Sequence, residues 1–137
     1  MKPWKDWRRE WRKRANSGSA AVEFAIVLPI FLMILFGIIQ FGAVLFLHTN
    51  MVSAAREAAR RMAVAEMTKP QAEVYAQTYL ADWSLIFTVV ATEPPVGVPN
   101  GDVSVQITVP AADAALLNFP IAWPGTLTAL VTMRRES

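Results

Sequence analysis

The sequence predicts an α+β protein with one long N-terminal helix, a second short helix and a small three-stranded antiparallel sheet. The long helix is indicated by an uncharged run of 24 residues from Phe24 to Leu47, after which apolar residues continue at helical spacing. The sheet is indicated beyond Trp83, where the period of the apolar residues changes to two. We therefore expect the first half of the long helix to be transmembrane, and its second half to be amphipathic and extracytoplasmic.

Basic residues are concentrated ahead of the apolar run. Residues 1–18 contain seven Lys or Arg against Asp6 and Glu10, a net charge of +5, whereas the whole chain carries +2. Because Lys and Arg mark the cytoplasmic side of a membrane helix, the N-terminus is predicted to stay in the cytoplasm. Arg56, Arg60 and Arg61 beyond the run argue weakly the other way. The basic residues of this leader are Lys2, Lys5, Arg8, Arg9, Arg12, Lys13 and Arg14.

The 24 residues of the apolar run form ~36 Å of helix at a rise of ~1.5 Å per residue. This length is enough to cross a bilayer. The run exceeds the apolar core of a secretory signal peptide and is followed by His48-Thr49-Asn50 in place of a small-residue cleavage site. Residues 19–49 are therefore predicted to be a retained transmembrane helix. Pro29 removes one helical hydrogen bond, which predicts either a functional kink or only the ordinary tolerance of membrane helices for proline.

The helix is predicted to continue beyond the membrane to about Met67. Met51, Ala55, Ala58 and Met62 recur at helical spacing, and the opposite side carries charge, including a favourable Glu57–Arg61 pair. A further helix of about 13 residues should follow a capping box formed by Thr68 and Gln71. Its apolar face is expected to pack into the core. The members of that face are Val74, Tyr75, Tyr79, Leu80 and Trp83.

Three segments alternate in the manner of half-buried strands: residues 85–92, 103–109 and 126–133. A connection rich in Pro, Gly and Asn joins the first two, so we expect an antiparallel hairpin. The less regular stretch 111–125 either lies over the sheet or faces outward as a partner surface. Because about 70 residues make only a small core, the sheet is expected to lie on the apolar stripe of the long helix.

The composition excludes several kinds of site. The absence of cysteine rules out disulfides, thiolate metal sites and cysteine nucleophiles. The one histidine, His48, has no metal-ligand spacing around it, and no hydrolase or zinc-protease motif occurs. Trp4, Trp7 and Trp11 alternate with basic residues, which favours a membrane-interface helix over a nucleic-acid patch. We expect no enzymatic activity, no metal, no cofactor and no nucleic-acid partner.

A basic leader ending in Gly18, a glutamate five residues later and a long apolar helix resemble the type IV prepilin plan. More narrowly, Gly18-Ser19-Ala20-Ala21-Val22-Glu23-Phe24 together with Ala55-Arg56-Glu57-Ala58-Ala59-Arg60 resembles the TadE/TadF family of pilin-like proteins (pseudopilins) from tight-adherence (Tad, Flp) pilus systems. The resemblance covers residues 18 to about 65 well, and the C-terminal part only in its strand pattern and its Met133-Arg134-Arg135-Glu136 ending. It implies that a prepilin peptidase cuts between Gly18 and Ser19, which makes Ser19 the new N-terminus.

The same resemblance implies a role for Glu23, namely pairing with the free terminal amine of a neighbouring subunit or recognition during assembly. Such pairing is physically sensible, because an ammonium and a carboxylate in a low-dielectric region each need a partner. Phe24 stands where many Flp pilins have tyrosine. This difference, together with an outer domain that very small Flp pilins lack, favours a minor or accessory subunit over the major pilin.

The resulting hypothesis is an accessory pilin-like subunit of a Tad (Flp, type IVc) pilus system, anchored in the bacterial inner membrane. Residues 1–18 are the leader, 19–49 the span and 50–137 the domain outside the cytoplasm. The expected partners are the prepilin peptidase, other pilins, proteins of the Tad secretion platform and the lipid bilayer. The alternative is an uncleaved, signal-anchored extracytoplasmic binding or sensory module.

Overall fold

The computed structural model describes residues 4–95, 101–115 and 125–135, with the backbone alone for residues 4–17. The chain divides into two compact units, Met1–Ile39 and Gln40–Ser137. The helix α1, Trp4–Ala63, contributes residues to both units. The division of the chain into leader, span and outer domain stays a prediction.

In the first unit, every described side chain from Gly18 onward is exposed except that of Leu28, which is intermediate. Apart from Leu28, the large apolar side chains from Val22 to Ile39 are 36–66% exposed. A helix that is apolar on every side needs lipid or other helices around it. Among the described residues, one helix is long and apolar enough to cross a membrane by its length and composition. α1 runs through Pro29, and the kink predicted there stays a prediction.

The boundaries predicted for the long helix were wrong at both ends. α1 begins at Trp4, well before Ser19, because residues 4–15 are mostly good helix formers without an internal proline or glycine. It ends at Ala63, before Met67, because Ala65 adopts a left-handed conformation with φ of 59°. The Glu66 N–H then donates to the Arg61 carbonyl at 2.9 Å, which closes the helix end.

The second unit contains the end of α1 and five further elements. They are α2 (Lys69–Tyr79), a 3₁₀ turn (Ala81–Trp83), β1 (Thr88–Thr92), β2 (Asp102–Pro110) and β3 (Thr126–Arg134). The sheet has the order β1-β2-β3 with both pairs antiparallel, so the predicted sheet is confirmed. β1 starts three residues later than expected. The prediction for 111–125 falls largely outside the described residues, which omit 116–124.

One hydrophobic core joins α1 to the inner face of the sheet. All four residues of the predicted helix stripe are at most 3% exposed, and the intervening Ala54 and Ala59 are fully buried. The sheet contributes Val89, Ala91, Val103, Val105, Ile107, Val109 and Ala129 to the same cluster. The prediction that the sheet lies on the helix stripe is therefore confirmed.

The buried face of α2 differs from the predicted one. Ala72 and Ala76 are fully buried, whereas Val74 is 61% and Tyr79 47% exposed. The physical reason is the contact between α2 and β1, where only small side chains fit between the two backbones. Glu73 lies on this side and accepts a hydrogen bond from the Ala91 N–H at 3.0 Å, which covers part of the edge of β1. Leu80 alone of the predicted face is fully buried.

The capping box predicted before α2 is present. The Thr68 N–H donates to Gln71 Oε1 at 2.9 Å, and the Thr68 hydroxyl donates to the same oxygen at 3.1 Å. Pro70 occupies the first turn, where its missing N–H costs little. A long-range contact adds to this start, because the Lys69 N–H donates to Glu93 Oε1 at 2.7 Å.

Candidate functional site

The junction from Gly18 to Phe24 lies within α1, and all its side chains are exposed. Residues 19 and 23 are one helical turn apart, so their side chains share a face. The Ser19 hydroxyl donates to Glu23 Oε1 at 3.3 Å. This distance exceeds the usual 2.5–3.0 Å of an O–H···O bond. The hydroxyl is therefore a weak partner, and the Glu23 carboxylate remains accessible to a stronger one.

Gly18 has no packing role in the described structure. A Cβ atom built at this position meets no heavy atom within 4 Å. Glycine inside a helix costs about 0.5–1 kcal/mol relative to alanine, and the neighbouring Asn16, Ser17 and Ser19 are also modest helix formers. The helix is thus locally weak at the predicted scissile bond. Local unwinding there costs less than in a turn built of alanine or leucine.

The basic leader is described only as helical backbone from Trp4 onward. Lys2 lies outside the described residues, and the structure does not describe the side chains of the other basic residues. The role of the leader in holding the precursor at the cytoplasmic face therefore stays a prediction from charge. The residues concerned are Lys5, Arg8, Arg9, Arg12, Lys13 and Arg14.

Polar side chains at the end of the apolar run bond back to the helix. Thr49 Oγ1 donates to the Leu45 carbonyl at 2.9 Å, and Asn50 Nδ2 donates to the Phe46 carbonyl at 2.8 Å. One turn later, Ser53 Oγ donates to the Thr49 carbonyl at 2.9 Å. Each donor bonds to a backbone carbonyl of its own helix, so it does not need a water molecule as its partner. These residues suit a helix that leaves a membrane at this point.

His48 connects α1 to the sheet. Its Nε2 lies 3.2 Å from the carbonyl oxygen of Thr128 in β3, and because a carbonyl only accepts, the ring nitrogen is the donor. The two residues are 80 positions apart, so the sequence offered no signal for this pairing. His48 therefore supports the fold of the second unit, in addition to its position at the end of the predicted span.

A charged cluster links the end of α1 to α2. Glu57 accepts hydrogen bonds from Arg60 Nη2 at 3.1 Å and from Arg61 Nε at 2.7 Å, which confirms the predicted Glu57–Arg61 pair. The Arg61 guanidinium also lies over the Tyr75 ring, 4.7 Å from its centroid. The bonds from Arg60 and Arg61 lower the pKa of Glu57 from 4.5 to about 2. The same carboxylate raises the pKa of both arginines.

The Glu57 cluster predicts a loss of stability in acid. A depressed pKa contributes stability above pH ~4.5, and that contribution is lost as the pH falls toward ~2. We expect the detergent-solubilised chain to unfold at a temperature a few degrees lower at about pH 3 than at about pH 6, and Glu57→Gln to show a smaller difference. Asp102→Asn, which removes an equal charge outside the cluster, should retain the full difference. Equal pH sensitivity in Glu57→Gln and the unsubstituted chain would contradict the assignment.

In the part of the chain that the structure describes, no three His, Asp or Glu side chains lie together in a way that could hold a metal ion.

The fold and the helix together define a class, a membrane-anchored, single-pass protein with a pilin-like α+β fold. Residues 18–60 match the family described as TadE-like protein, which confirms the resemblance seen in the sequence. The matched segment begins at Gly18 and includes the apolar run and Ala55–Arg60. The match is to a family of pilus components. Neither the curated proteins nor the solved structures contain a significant match to the chain.

Proposed function

We propose that this chain is a minor or accessory pilin-like subunit of a Tad pilus, processed by a prepilin peptidase after Gly18. The observation that carries the proposal is the family match, which begins at the glycine of the predicted cleavage site. The weak helix around Gly18 and the lack of any packing role for this glycine support it. The basic leader supports the proposed orientation, with residues 1–18 in the cytoplasm, because Lys and Arg mark the cytoplasmic side of a membrane helix.

The proposed mechanism is assembly through the N-terminal helix. Cleavage converts the Ser19 amide nitrogen into a free ammonium, and the Glu23 carboxylate of a neighbouring subunit is then available to pair with it. Among the described residues, this carboxylate accepts a 3.3 Å bond from the Ser19 hydroxyl. An ion pair in a low-dielectric environment is a much stronger interaction than such a bond. The pair would set the register between adjacent helices.

The outer unit supports an accessory role. It has its own core, built from α1, α2 and three strands, which a very small major pilin lacks. The exposed apolar surface of α1 between Val22 and Ile39 is suited to packing against other pilin helices or the secretion platform. The outer unit then remains available to prime, cap or join the fibre.

Processing is tested by measuring the mass of the cellular protein. In cells with an active prepilin peptidase, we expect a chain that begins at Ser19. In cells that lack the peptidase, we expect the leader to be retained. A chain that keeps residues 1–18 in both strains would contradict the proposal and favour the uncleaved extracytoplasmic binding or sensory module. Co-purification of the processed chain with sheared pili then distinguishes a fibre subunit from a protein left in the membrane.

A further inference from the structure

The last two turns of the apolar run have two different sides. Val44 and Leu47 are 6% and 1% exposed because they belong to the packed face of the second unit. Phe41, Leu45 and Phe46 on the other side are 52–63% exposed. All five residues belong to the segment that sequence reasoning assigned to the membrane. The domain therefore covers one side of the helix at the level of these two turns.

Two long-range contacts identify the end of the domain that lies at this level. The Trp83 ring is 5.6 Å from the Phe46 ring, and His48 bonds to Thr128 of β3. Thr128 is in register with Thr108, and Thr108 with Thr88, so these three residues form one end of the sheet.

The other end of the sheet lies away from this level. Glu93 and Arg135 line a small cavity together with Met62, which is near the C-terminal end of α1. Residues 83–88 consequently lie at the end of the domain that is nearest to the apolar run.

This end of the domain exposes an apolar side chain. Ile86 is 86% exposed, more than any other large apolar side chain described. From Trp83 to Thr92 the sequence contains no charged residue, and the flanking charges are Asp82 and Glu93. Tryptophan favours the headgroup region of a bilayer, and an adjacent exposed isoleucine is suited to the acyl boundary below it.

We propose that the segment Trp83–Ile86 is a membrane-docking site of the outer domain, with Ile86 inserted at the surface of the same bilayer that α1 crosses. The occupant is lipid because the site is continuous with the apolar run. Phe46 belongs to that run and directly contacts Trp83. Docking holds the domain at the bilayer surface by a second attachment besides its helix. The proposal depends on a membrane-spanning helix but not on cleavage after Gly18 or on a role in a pilus.

The absence of cysteine from the sequence makes the site accessible to single-cysteine labelling. Ile86→Cys, carrying a nitroxide spin label, is reconstituted as the full chain in nanodiscs that hold one chain each. The rate at which the spin label collides with oxygen, which enters lipid, is compared with the rate at which it collides with a polar nickel chelate, which stays in water. Val90→Cys is the matched control. Val90 is 48% exposed, belongs to the same uncharged stretch (residues 83–92) and lies ~13 Å further along the extended chain. Ile34→Cys, at a position 60% exposed within the apolar run, reports the lipid environment.

We expect the ratio of oxygen to nickel collisions at position 86 to approach that at position 34 and to exceed that at position 90 several-fold. A ratio at position 86 equal to that at position 90 would overturn the proposal. Protection from nickel that appears only when several chains share one bilayer would also overturn it, since a neighbouring chain would then be the occupant. Nickel access at position 34 would show that this position is in water. That result would overturn both the assignment of the span and the proposed docking site.

Discussion

Gly18→Ala is expected to leave most of the protein as unprocessed precursor. Gly18 packs against nothing in the described structure, so the substitution should not disturb the fold. It stabilises the helix at the predicted scissile bond by about 0.5–1 kcal/mol and places a methyl group where the peptidase must approach the backbone. A clash worth ~3 kcal/mol in the transition state slows cleavage about a hundredfold. The ratio of precursor to mature chain, measured by mass spectrometry or immunoblotting after expression is stopped, reports the effect.

Ser17→Ala separates recognition from helix stability. It also replaces a modest helix former with alanine, but it leaves the glycine next to the predicted cut unchanged. We expect processing close to that of the unsubstituted chain. If Ser17→Ala slowed processing as much as Gly18→Ala, helix stability would be the determinant. If Gly18→Ala were processed normally, the assignment of the cleavage site would be wrong.

Glu23→Ala is expected to insert in the membrane and to be cleaved, yet to be absent or strongly depleted from sheared pili. The substitution removes an exposed carboxylate that, among the described residues, accepts the long bond from the Ser19 hydroxyl, so the helix itself should persist. What it removes, on our proposal, is the partner of a neighbouring subunit's terminal ammonium. An unpaired charge in a low-dielectric region costs several kcal/mol, which is enough to exclude a subunit from an assembly. The measurement compares the chain in the membrane fraction with the chain in the sheared fraction.

Two further variants define the cause of the Glu23 effect. Glu23→Gln keeps a hydrogen-bond acceptor at nearly the same position but removes the charge, so it should fail as Glu23→Ala does if an ion pair is required. Glu10→Ala removes a carboxylate from the segment that is cut off, and it should assemble normally. Incorporation of Glu23→Ala at the normal level would contradict the pairing role, whereas incorporation of Glu23→Gln alone would indicate hydrogen bonding in place of charge.

The two junction variants also test the order of events. The terminal ammonium does not exist before cleavage, so Gly18→Ala should block both processing and incorporation, whereas Glu23→Ala should block incorporation alone. A Glu23→Ala chain that accumulated as precursor would instead place Glu23 in recognition by the peptidase. That outcome corresponds to the second role that the family resemblance implies for this residue.

Features that depend on neighbouring residues in the chain could be predicted from the sequence. Four such features could be predicted: the apolar run, the capping box before α2, the Glu57–Arg61 pair and the three alternating strands. Each depends on residues within a few turns or on a period along one strand. The junction at Gly18 belongs to the same group, because its pattern lies within seven residues and the family match begins there.

Features that depend on residues distant in the chain were predicted poorly. The end of α1 was misplaced because the left-handed Ala65 serves a turn that brings α2 against β1. The core face of α2 was misassigned because apolar character favoured Val74 and Tyr79, whereas the space beside β1 admits only Ala72 and Ala76. No sequence pattern signals how closely two backbones approach.

The sequence by itself therefore determined the apolar run, the charge asymmetry ahead of it and the pattern of the junction proposed for cleavage. These follow from the solvent preference of a continuous segment, to which every residue contributes regardless of distant neighbours. Only the tertiary structure decided that residues 40–47 are packed on one side, that His48 bonds to Thr128 and that Trp83 contacts Phe46. These contacts close loops of about 40 to 80 residues, and they form because the folded core places their partners together.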